Sequence, residues 1–531
     1  MKQLNKLSII FLIVCSFAFY GCANWLDVHP RDQVLEERQF STELGINSAL
    51  NGIYRSMAQR DLYGELLTQT FIEYMARYYN FTNQIGNFLQ GMEEWSIVAQ
   101  WQYQDRGVRR RIQDVWNSAY RAILETNIFI QHVSETDVLS ESRRDVLLGE
   151  AYALRAFLHF DMFRLFGPIM RLDPNVPSIP FSDSPMVISR DPLPATTLLN
   201  LVLRDLETAE RLLENDPVRT RGVNDNFHQI STNIALSAET IFAEYFRNRR
   251  MNYYAVRALR ARVLLHAGRF DEARQLAKAV IDEATANREG GGRPFRWETN
   301  WGHIITGNNF MFYNEVLFGI TNPNLHSNWR RFFDGSRPGS THVVVDDNLF
   351  GNLFGDVSQR DLNTLSLVDI RAAQWRESNI PAGTSTGTGT GMTFISTKFR
   401  GIDVVDWRVE WARYSVDFQP LIRLSEMPLI IAEAYVEDGD MATAAYWINF
   451  LRERRRATAD QTVNTINDVE GYLMRQIYLE FVGEGQAFFF LKRNAKTRIF
   501  SGFNSMMIDL DGATIRDVYV LPLPDSETIV G

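Results

Sequence analysis

Apolar positions along this chain recur mostly with the spacing of an amphipathic helix. One apolar run falls on a single helix face and stops at Gly167 and Pro168, a common pair at a helix end. The members of that face are Leu147, Ala151, Leu154, Leu158 and Leu165. Strand-like alternation is sparse and is seen, for example, at residues 343–345. The pattern therefore predicts a mainly α-helical protein with a few short strands.

Two segments repeat one spacing of small residues, in which alanine, glycine and alanine are separated by six and then four positions. The two sets are Ala261, Gly268 and Ala273, then Ala432, Gly439 and Ala444. This spacing is similar to that of the tetratricopeptide (TPR) helix-turn-helix, in which small side chains let helices approach and glycine accepts the positive φ of the turn. We predict TPR-like repeats at residues 249–283 and 421–456. The second repeat should begin near Ser425, with Pro428 in its first helical turn.

Composition and charge narrow the class of protein. The chain has 531 residues, of which 45% are hydrophobic and 22% are charged, and its net charge is −9. These proportions are typical of a folded body in water and exclude both a wholly disordered chain and a multi-span membrane protein. No basic run could neutralise a phosphate backbone, so nucleic acid is not an expected partner.

Residues 1–21 have the pattern of a lipoprotein signal peptide. Lys2 and Lys6 precede an apolar stretch at residues 7–20 that is too short to span a bilayer. Gly21 and Cys22 follow at once and resemble a bacterial lipobox, in which the cysteine becomes the acylated first residue of the mature chain. Several acyl chains would hold such a body on a membrane permanently. We predict lipidation at Cys22; the alternative is a plain secreted protein in which this cysteine has no role.

The sequence carries no local signature of catalysis or of metal binding. Its eight histidines are scattered, and both cysteines lie within the first 22 residues. The zinc-protease, serine-hydrolase and P-loop patterns are absent. Carboxylate pairs are inevitable among 64 acidic residues and do not by themselves indicate a glycosidase. We therefore expect no metal site built from a local motif and no catalytic site of these three kinds.

Aromatic residues are concentrated in two windows, with nine rings at residues 71–103 and ten at residues 295–333. The second window lies within a loop-rich region, residues 284–420, and loops on a helical scaffold commonly carry binding residues. Flat exposed rings suit the apolar face of a sugar, whose hydroxyls then bond to amide or guanidinium groups. The leading ring candidates are Trp301 and Trp329, followed by Trp95, Trp101 and Tyr79, and the predicted hydroxyl partners are Asn300, Asn308, Asn328 and Arg330.

Several longer motifs together resemble the SusD/RagB family of outer-membrane lipoproteins of Bacteroidetes. They are WLDVHP at residues 25–30, AYALRAFLHFDMFRLFG at 151–167, RMNYYA at 250–255, IRLSEM at 422–427, YLEF at 478–481 and LPLPDSE at 521–527. The resemblance covers nearly all of residues 22–531 as one body, with an N-terminal part at 22–217 and a C-terminal part at 457–531. Residues 218–248 fit the family pattern poorly and are interpreted as an insertion.

The resemblance implies a function as well as a SusD-like fold. It implies a cell-surface lipoprotein that binds an oligosaccharide and delivers it to a partner TonB-dependent (SusC-like) transporter in the outer membrane, without enzymatic activity and without a cofactor. It also implies that Glu480, Glu484 and Arg493 form buried ion pairs or caps rather than a catalytic set. Two alternatives stay open: the same scaffold capturing peptides, and a TPR-type surface scaffold or surface enzyme without this binding role.

Overall fold

The computed structural model describes residues 31–79, 92–223, 246–287, 293–300, 302, 304, 309–334, 345–354, 369–378, 393–400, 417–457, 469–500, 507–512 and 514–528. These residues are mostly helical, which confirms the predicted fold class. The helices are α1 (Arg31–Phe40), α2 (Glu43–Met57), α3 (Phe71–Met75), α4 (Met92–Ala99), α5 (Arg106–Ser134), α6 (Glu141–Phe166), α7 (Ala195–Leu212), α8 (Pro217–Arg221), α9 (Tyr253–His266), α10 (Phe270–Ala284), α11 (Leu325–Phe332), α12 (Asp347–Phe354), α13 (Glu426–Glu437), α14 (Met441–Arg454), α15 (Val469–Glu480), α16 (Gln486–Arg493), α17 (Ile515–Tyr519) and α18 (Asp525–Thr528).

Short antiparallel strands join distant parts of the chain. They are β1 (Val316–Thr321), β2 (Val345–Asp346), β3 (Trp375–Ser378), β4 (Thr393–Ser396), β5 (Phe418–Arg423), β6 (Arg498–Ile499) and β7 (Ile508–Asp509). β1 pairs with β5, from Val316 opposite Arg423 to Thr321 opposite Phe418. β4 lies between β2 and β3, and β6 pairs with β7. The β1–β5 ribbon thereby brings the loop-rich region against the second repeat.

The long helices stack in series. Each of α2, α5, α6, α7, α9, α10, α13 and α14 contacts the next, so one continuous hydrophobic core runs through the stack. The apolar face predicted at residues 147–165 belongs to α6, which ends at Phe166 with Gly167 as its C-cap, as expected. In the part of the chain that the structure describes, no helix is both long enough and apolar enough to cross a membrane.

The two predicted repeats are helix-turn-helix units, α9–α10 and α13–α14. Ala261 on α9 and Ala432 on α13 are fully buried, and α9 packs on α10 as α13 packs on α14. Gly268 and Gly439 have φ of +75° and +78°, the left-handed conformation predicted for both turns. α13 begins at Glu426, so Pro428 lies in the first turn, where its missing N–H breaks no helical hydrogen bond.

A fully buried cluster of charges fixes the C-terminal half. The Arg423 guanidinium bonds to Glu480 at 2.7 Å and to Glu484 at 2.9 Å. Burial opposes ionisation of Glu480, but the Arg455 and Arg423 guanidiniums hold the pKa of this carboxyl well below its ordinary value. Arg493 pairs with Glu433 at 2.6 Å. Glu480 and Glu484 therefore form buried ion pairs, and Arg493 forms a half-buried one.

Candidate functional site

The two aromatic windows meet in three dimensions. Tyr79 lies edge-on to Phe333 with ring centroids 5.7 Å apart, and Trp95 lies edge-on to Phe332 at 6.5 Å. Tyr74 stacks on Trp95 at 5.2 Å. These five residues form what we call the aromatic seam. All five are buried, so the seam is a packing contact between α11 and the segments around α3 and α4.

The expectation of exposed rings is wrong for Trp329, Trp95 and Tyr79, whose exposures are 2%, 4% and 1%. Trp329 Nε1 donates a hydrogen bond to the Ser396 carbonyl at 2.7 Å, which ties α11 to β4. The Arg111 guanidinium covers the Trp95 ring at 4.8 Å. Each large ring gains more from burial against other rings than it would from solvent exposure, so clustering in sequence led to core packing.

Trp101 is the predicted ring that stays partly exposed among those the structure describes. It lines a groove of about 510 Å³, but its Nε1 donates to the Met75 carbonyl at 2.9 Å and the Arg77 guanidinium lies 5.0 Å from the ring centroid. Asn328 is buried, and its amide nitrogen donates to the Gly64 carbonyl at 2.9 Å. Arg330 is half-buried on α11. The polar groups of Trp101 and Asn328 are thus used in hydrogen bonds that hold the fold together.

A polar cleft of about 630 Å³ lies at the other end of β1, before Val316. It combines arginines, amides and aromatic rings, and its described lining residues are Arg221, Val223, Asn248, Asn287, Arg293, Pro294, Phe295, Arg296, Trp297, Thr299, Tyr313 and Asn314. The lining residues Tyr313 and Asn314 precede β1, whereas α11 follows it, and the six residues of this strand span about 20 Å. Asn300 is exposed and directly follows the lining residue Thr299, whereas Trp301 and Asn308 lie outside the described residues.

Asn248 is held at the cleft by the short 3₁₀ turn Arg247–Arg249. Arg247 fixes this turn, because its buried guanidinium pairs with Asp216 at 2.8 Å and with Glu150 at 2.5 Å. Asn248 is only 1% exposed, and its Oδ1 accepts no hydrogen bond from any described residue. A buried acceptor without a donor is unfavourable by about 1–3 kcal/mol. A ligand hydroxyl in the cleft could supply that donor.

Arg293 and Arg296 stand on the solvent side of the cleft. Arg293 Nε donates to Asn287 Oδ1 at 2.8 Å, and Arg296 Nη2 donates to Asn314 Oδ1 at 3.2 Å. The Asn314 nitrogen donates in turn to Glu298 Oε2 at 2.5 Å, which fixes the orientation of the amide. Arg296 is therefore positioned by a chain of contacts that ends at a buried carboxylate.

Two neighbouring rings give the cleft an apolar wall. Phe295 is buried against Tyr254, and its backbone N–H donates to the Ala284 carbonyl at the end of α10. Trp297 is half-buried, packs edge-on to Phe450 at 5.7 Å and has the Arg454 guanidinium 5.0 Å from its ring. An aromatic wall beside amide and guanidinium donors is the combination expected of a sugar-binding surface.

A larger groove, of about 820 Å³, lies around residues 470–475 and 494–500. Its Lys496 is paired with Glu470 at 2.5 Å, and the Tyr472 ring has Arg452 and Arg475 within 5.6 Å. Lys496 and the Tyr472 ring in this groove therefore already contact other side chains of the protein. Across the part of the chain that the structure describes, no three metal-ligating side chains are grouped as a metal site would require.

Sequence reasoning missed the main residues of the cleft. Trp297, Arg293 and Arg296 lie just after the triple glycine at 290–292, within or beside the second aromatic window. The alternation of arginines with aromatic residues at 293–297 is the sequence pattern that could have indicated this site. Asn248 gives no such signal, because it reaches the cleft only through the packing of Arg247 against distant acids.

Two family models match this chain. One, described as "Starch-binding associating with outer membrane", matches residues 24–265, and the other, described as "SusD family", matches residues 379–527. SusD-like protein P38 of Formosa agariphila is 22% identical over an alignment of 539 positions that covers 93% of each protein. SusD-like protein P25 of the same organism is 24% identical over 220 residues, which span 40% of this chain and 38% of P25.

The fold is also that of solved structures. The crystal structure of a SusD superfamily protein from Bacteroides thetaiotaomicron superposes with a TM-score of 0.65 at 20% identity, covering 92% of this chain and 98% of that chain. The sequence matches and the shared fold agree over the whole length of the helical stack. The chain therefore belongs to the SusD family of carbohydrate-binding proteins associated with the outer membrane.

Proposed function

We propose that this protein binds an oligosaccharide in the polar cleft and delivers it to a partner TonB-dependent (SusC-like) transporter in the outer membrane. Membership of the SusD family supports carbohydrate binding and outer-membrane association. The protein acts by binding and release, and it makes or breaks no covalent bond. We further propose that it is held on the cell surface through acylated Cys22.

The observation that carries this proposal is the pairing of Asn248 with Trp297 in one cleft. Asn248 offers a buried acceptor that no described residue satisfies, and Trp297 offers a half-buried ring beside it on the lining. A sugar presents both matching groups, since it has hydroxyl donors around its edge and apolar C–H faces. Asn300, next to the lining residue Thr299, is a proposed further hydroxyl partner.

The direct test is calorimetric binding of a panel of neutral and acidic oligosaccharides and of short peptides to the purified protein. Trp297→Ala should weaken binding of the cognate saccharide by about tenfold or more while changing the melting temperature little. Trp447→Ala is the matched control, because Trp447 is also half-buried and also packs on Phe450, at 5.1 Å, but does not line the cleft. Equal affinity losses in the two variants would contradict the cleft as the binding site.

Peptide capture on the same scaffold is the second candidate. Peptide binding commonly uses backbone pairing to a strand edge. In the polar cleft, by contrast, Asn248 and Trp297 offer side chains for binding and not a free strand edge. Binding of peptides with no saccharide binding in the same panel would replace the proposed function by this one.

The anchoring proposal has its own test. Cys22→Ser should move the protein from the membrane fraction to the soluble fraction and abolish acyl labelling, because Cys15 lies within the predicted signal peptide and Cys22 is the cysteine that directly follows it. Unchanged fractionation and labelling of this variant would show that Cys22 is not the anchor.

A further inference from the structure

The polar cleft has a charge opposite to that of the protein. Its lining includes Arg221, Arg293 and Arg296, and none of the described residues that line it is an aspartate or a glutamate. The whole chain, in contrast, carries 64 acidic and 55 basic residues. A group of like charges on one concave surface concentrates ligands of the opposite charge there.

Arg293 and Arg296 differ in their partners from the exposed arginines Arg269 and Arg516. Arg269 pairs with Glu272 at 2.5 Å, and Arg516 pairs with Asp173 at 2.7 Å. Arg293 and Arg296 donate instead to the neutral amide oxygens of asparagines, at 2.8 and 3.2 Å. Each guanidinium has five N–H donors, so most remain available to a ligand, and none of the carboxylates that the structure describes pairs with either of them.

The nearest acid, Glu298, is beneath the cleft surface. It is 2% exposed, and its Oε2 accepts hydrogen bonds from Asn309 at 2.9 Å and Asn314 at 2.5 Å. Its carboxylate is thus directed to two amides and separated from Arg296 by the Asn314 side chain. Among the described residues, no carboxylate at the cleft surface therefore cancels the charges of Arg293 and Arg296.

We propose that the saccharide bound here is anionic, bearing carboxylate or sulfate groups along its chain. This inference rests on the proposed function. The planar guanidinium fork suits both groups, because each presents two oxygens to parallel N–H donors. Asn248 accepts a hydroxyl of the same chain, and the Trp297 ring contacts a sugar face. The arginines of the cleft therefore recognise the anionic groups of the ligand, and the Asn248 amide and the Trp297 ring recognise its sugar units.

The test is calorimetric binding to the purified full chain with three matched pairs of probes. Each pair shares one backbone and differs in charge: oligogalacturonate and its methyl ester, chondroitin sulfate oligosaccharide and its desulfated, carboxyl-reduced form, and alginate oligosaccharide and its carboxyl-reduced form. An acidic peptide is added as a fourth anionic probe. We expect one charged saccharide to bind at least about tenfold more tightly than its neutral partner, with an affinity that falls as sodium chloride is raised.

Variants assign that preference to the cleft. Arg293→Gln and Arg296→Gln should each weaken binding of the charged probe by about tenfold while leaving the melting temperature unchanged, because both side chains are exposed. Arg269→Gln, which removes an exposed arginine outside the cleft, should have no effect on affinity. Full affinity in both cleft variants would overturn the inference.

The remaining outcomes separate this inference from the function on which it rests. Binding of neutral saccharides alone, lost in Trp297→Ala, would overturn the anionic preference and leave the proposed function standing. No saccharide binding, with or without binding of the acidic peptide, would overturn both.

Discussion

The Glu315 carboxylate accepts two parallel hydrogen bonds from the Arg455 guanidinium, at 2.7 and 2.5 Å, and both side chains are fully buried. Glu315 Oε1 also accepts the Glu298 backbone N–H at 2.8 Å. The buried charge cluster is thereby joined to the segment that carries Trp297 and Arg296. The shape of the polar cleft depends on this ion pair.

Glu315→Gln should therefore lower the free energy of unfolding by about 3–5 kcal/mol, because it leaves Arg455 buried with less compensating charge. Urea denaturation measures this change. Glu272→Gln is the control, since it breaks the exposed pair with Arg269 and should change stability by less than about 1 kcal/mol. Similar losses of stability in the two variants would show that burial does not determine how much these ion pairs contribute to the free energy of unfolding.

Glu73 should make stability depend on pH. Burial raises the pKa of this carboxyl to about 8, although the Gly485 and Gly483 N–H groups, at 3.0 and 3.1 Å, favour its ionised form. Since the folded-state pKa lies above the ordinary value, Glu73 contributes full stability below pH about 4.5, and this contribution is lost as the pH rises towards about 8.

Glu73→Gln keeps an oxygen for the two glycine N–H groups and removes the titration. The variant should match the wild type at acid pH and be more stable above pH about 8, by a few kcal/mol, since one pKa unit corresponds to about 1.4 kcal/mol. Chemical denaturation across this pH range gives the difference directly. A constant difference at every pH would exclude Glu73 as the titrating group.

The turn glycines allow backbone conformation to be tested apart from packing. A Cβ at Gly268 or Gly439 would meet no atom within 4 Å, so only the positive φ disfavours a side chain there. Gly268→Ala and Gly439→Ala should each lower the free energy of unfolding by about 1–2 kcal/mol. The matched asparagine variants should lose less, because asparagine tolerates the left-handed region better. Thermal unfolding of the four variants decides this.

Local pattern predicted much of the fold and little of the site. The apolar face of α6, the glycine turns and Pro428 in the first turn of α13 are properties of short segments, and the structure has all of them. The fate of a tryptophan depends on distant partners. Trp329 is buried because β4 brings the Ser396 carbonyl to its indole nitrogen, which the sequence around residue 329 does not encode.

Trp329 and Trp297 should respond oppositely to truncation. Trp329→Ala removes a buried ring and its hydrogen bond, so it should lower the free energy of unfolding by about 3–5 kcal/mol. Trp297→Ala removes a half-buried ring and should lower stability less, while it removes saccharide affinity. Melting temperature and calorimetric affinity, measured on both variants, separate the two roles. A stable Trp329→Ala variant that had lost affinity would restore Trp329 as a saccharide-binding residue.

Asn248 and Asn328 are both buried but differ in whether their amides are satisfied. Asn328 donates to the Gly64 carbonyl at 2.9 Å, whereas Asn248 Oδ1 has no donor among the described residues. Asn328→Leu should therefore lower the free energy of unfolding by about 0.5–1.5 kcal/mol, because the Gly64 carbonyl loses one of its two amide donors and keeps Asn322, at 2.9 Å.

Asn248→Leu replaces an amide with a side chain of similar size and removes an unsatisfied acceptor, so the ligand-free protein should be unchanged or more stable. The same variant should bind the cognate saccharide at least about tenfold less tightly, since the hydroxyl that Asn248 accepts would then lack an acceptor. Urea denaturation of the ligand-free protein and calorimetry with the saccharide measure the two effects independently. A gain in stability together with a loss of affinity identifies a group kept for binding at the expense of folding. Destabilisation of Asn248→Leu to the same extent as Asn328→Leu would show instead that Asn248 is an ordinary core residue, and the cleft would lose its central acceptor.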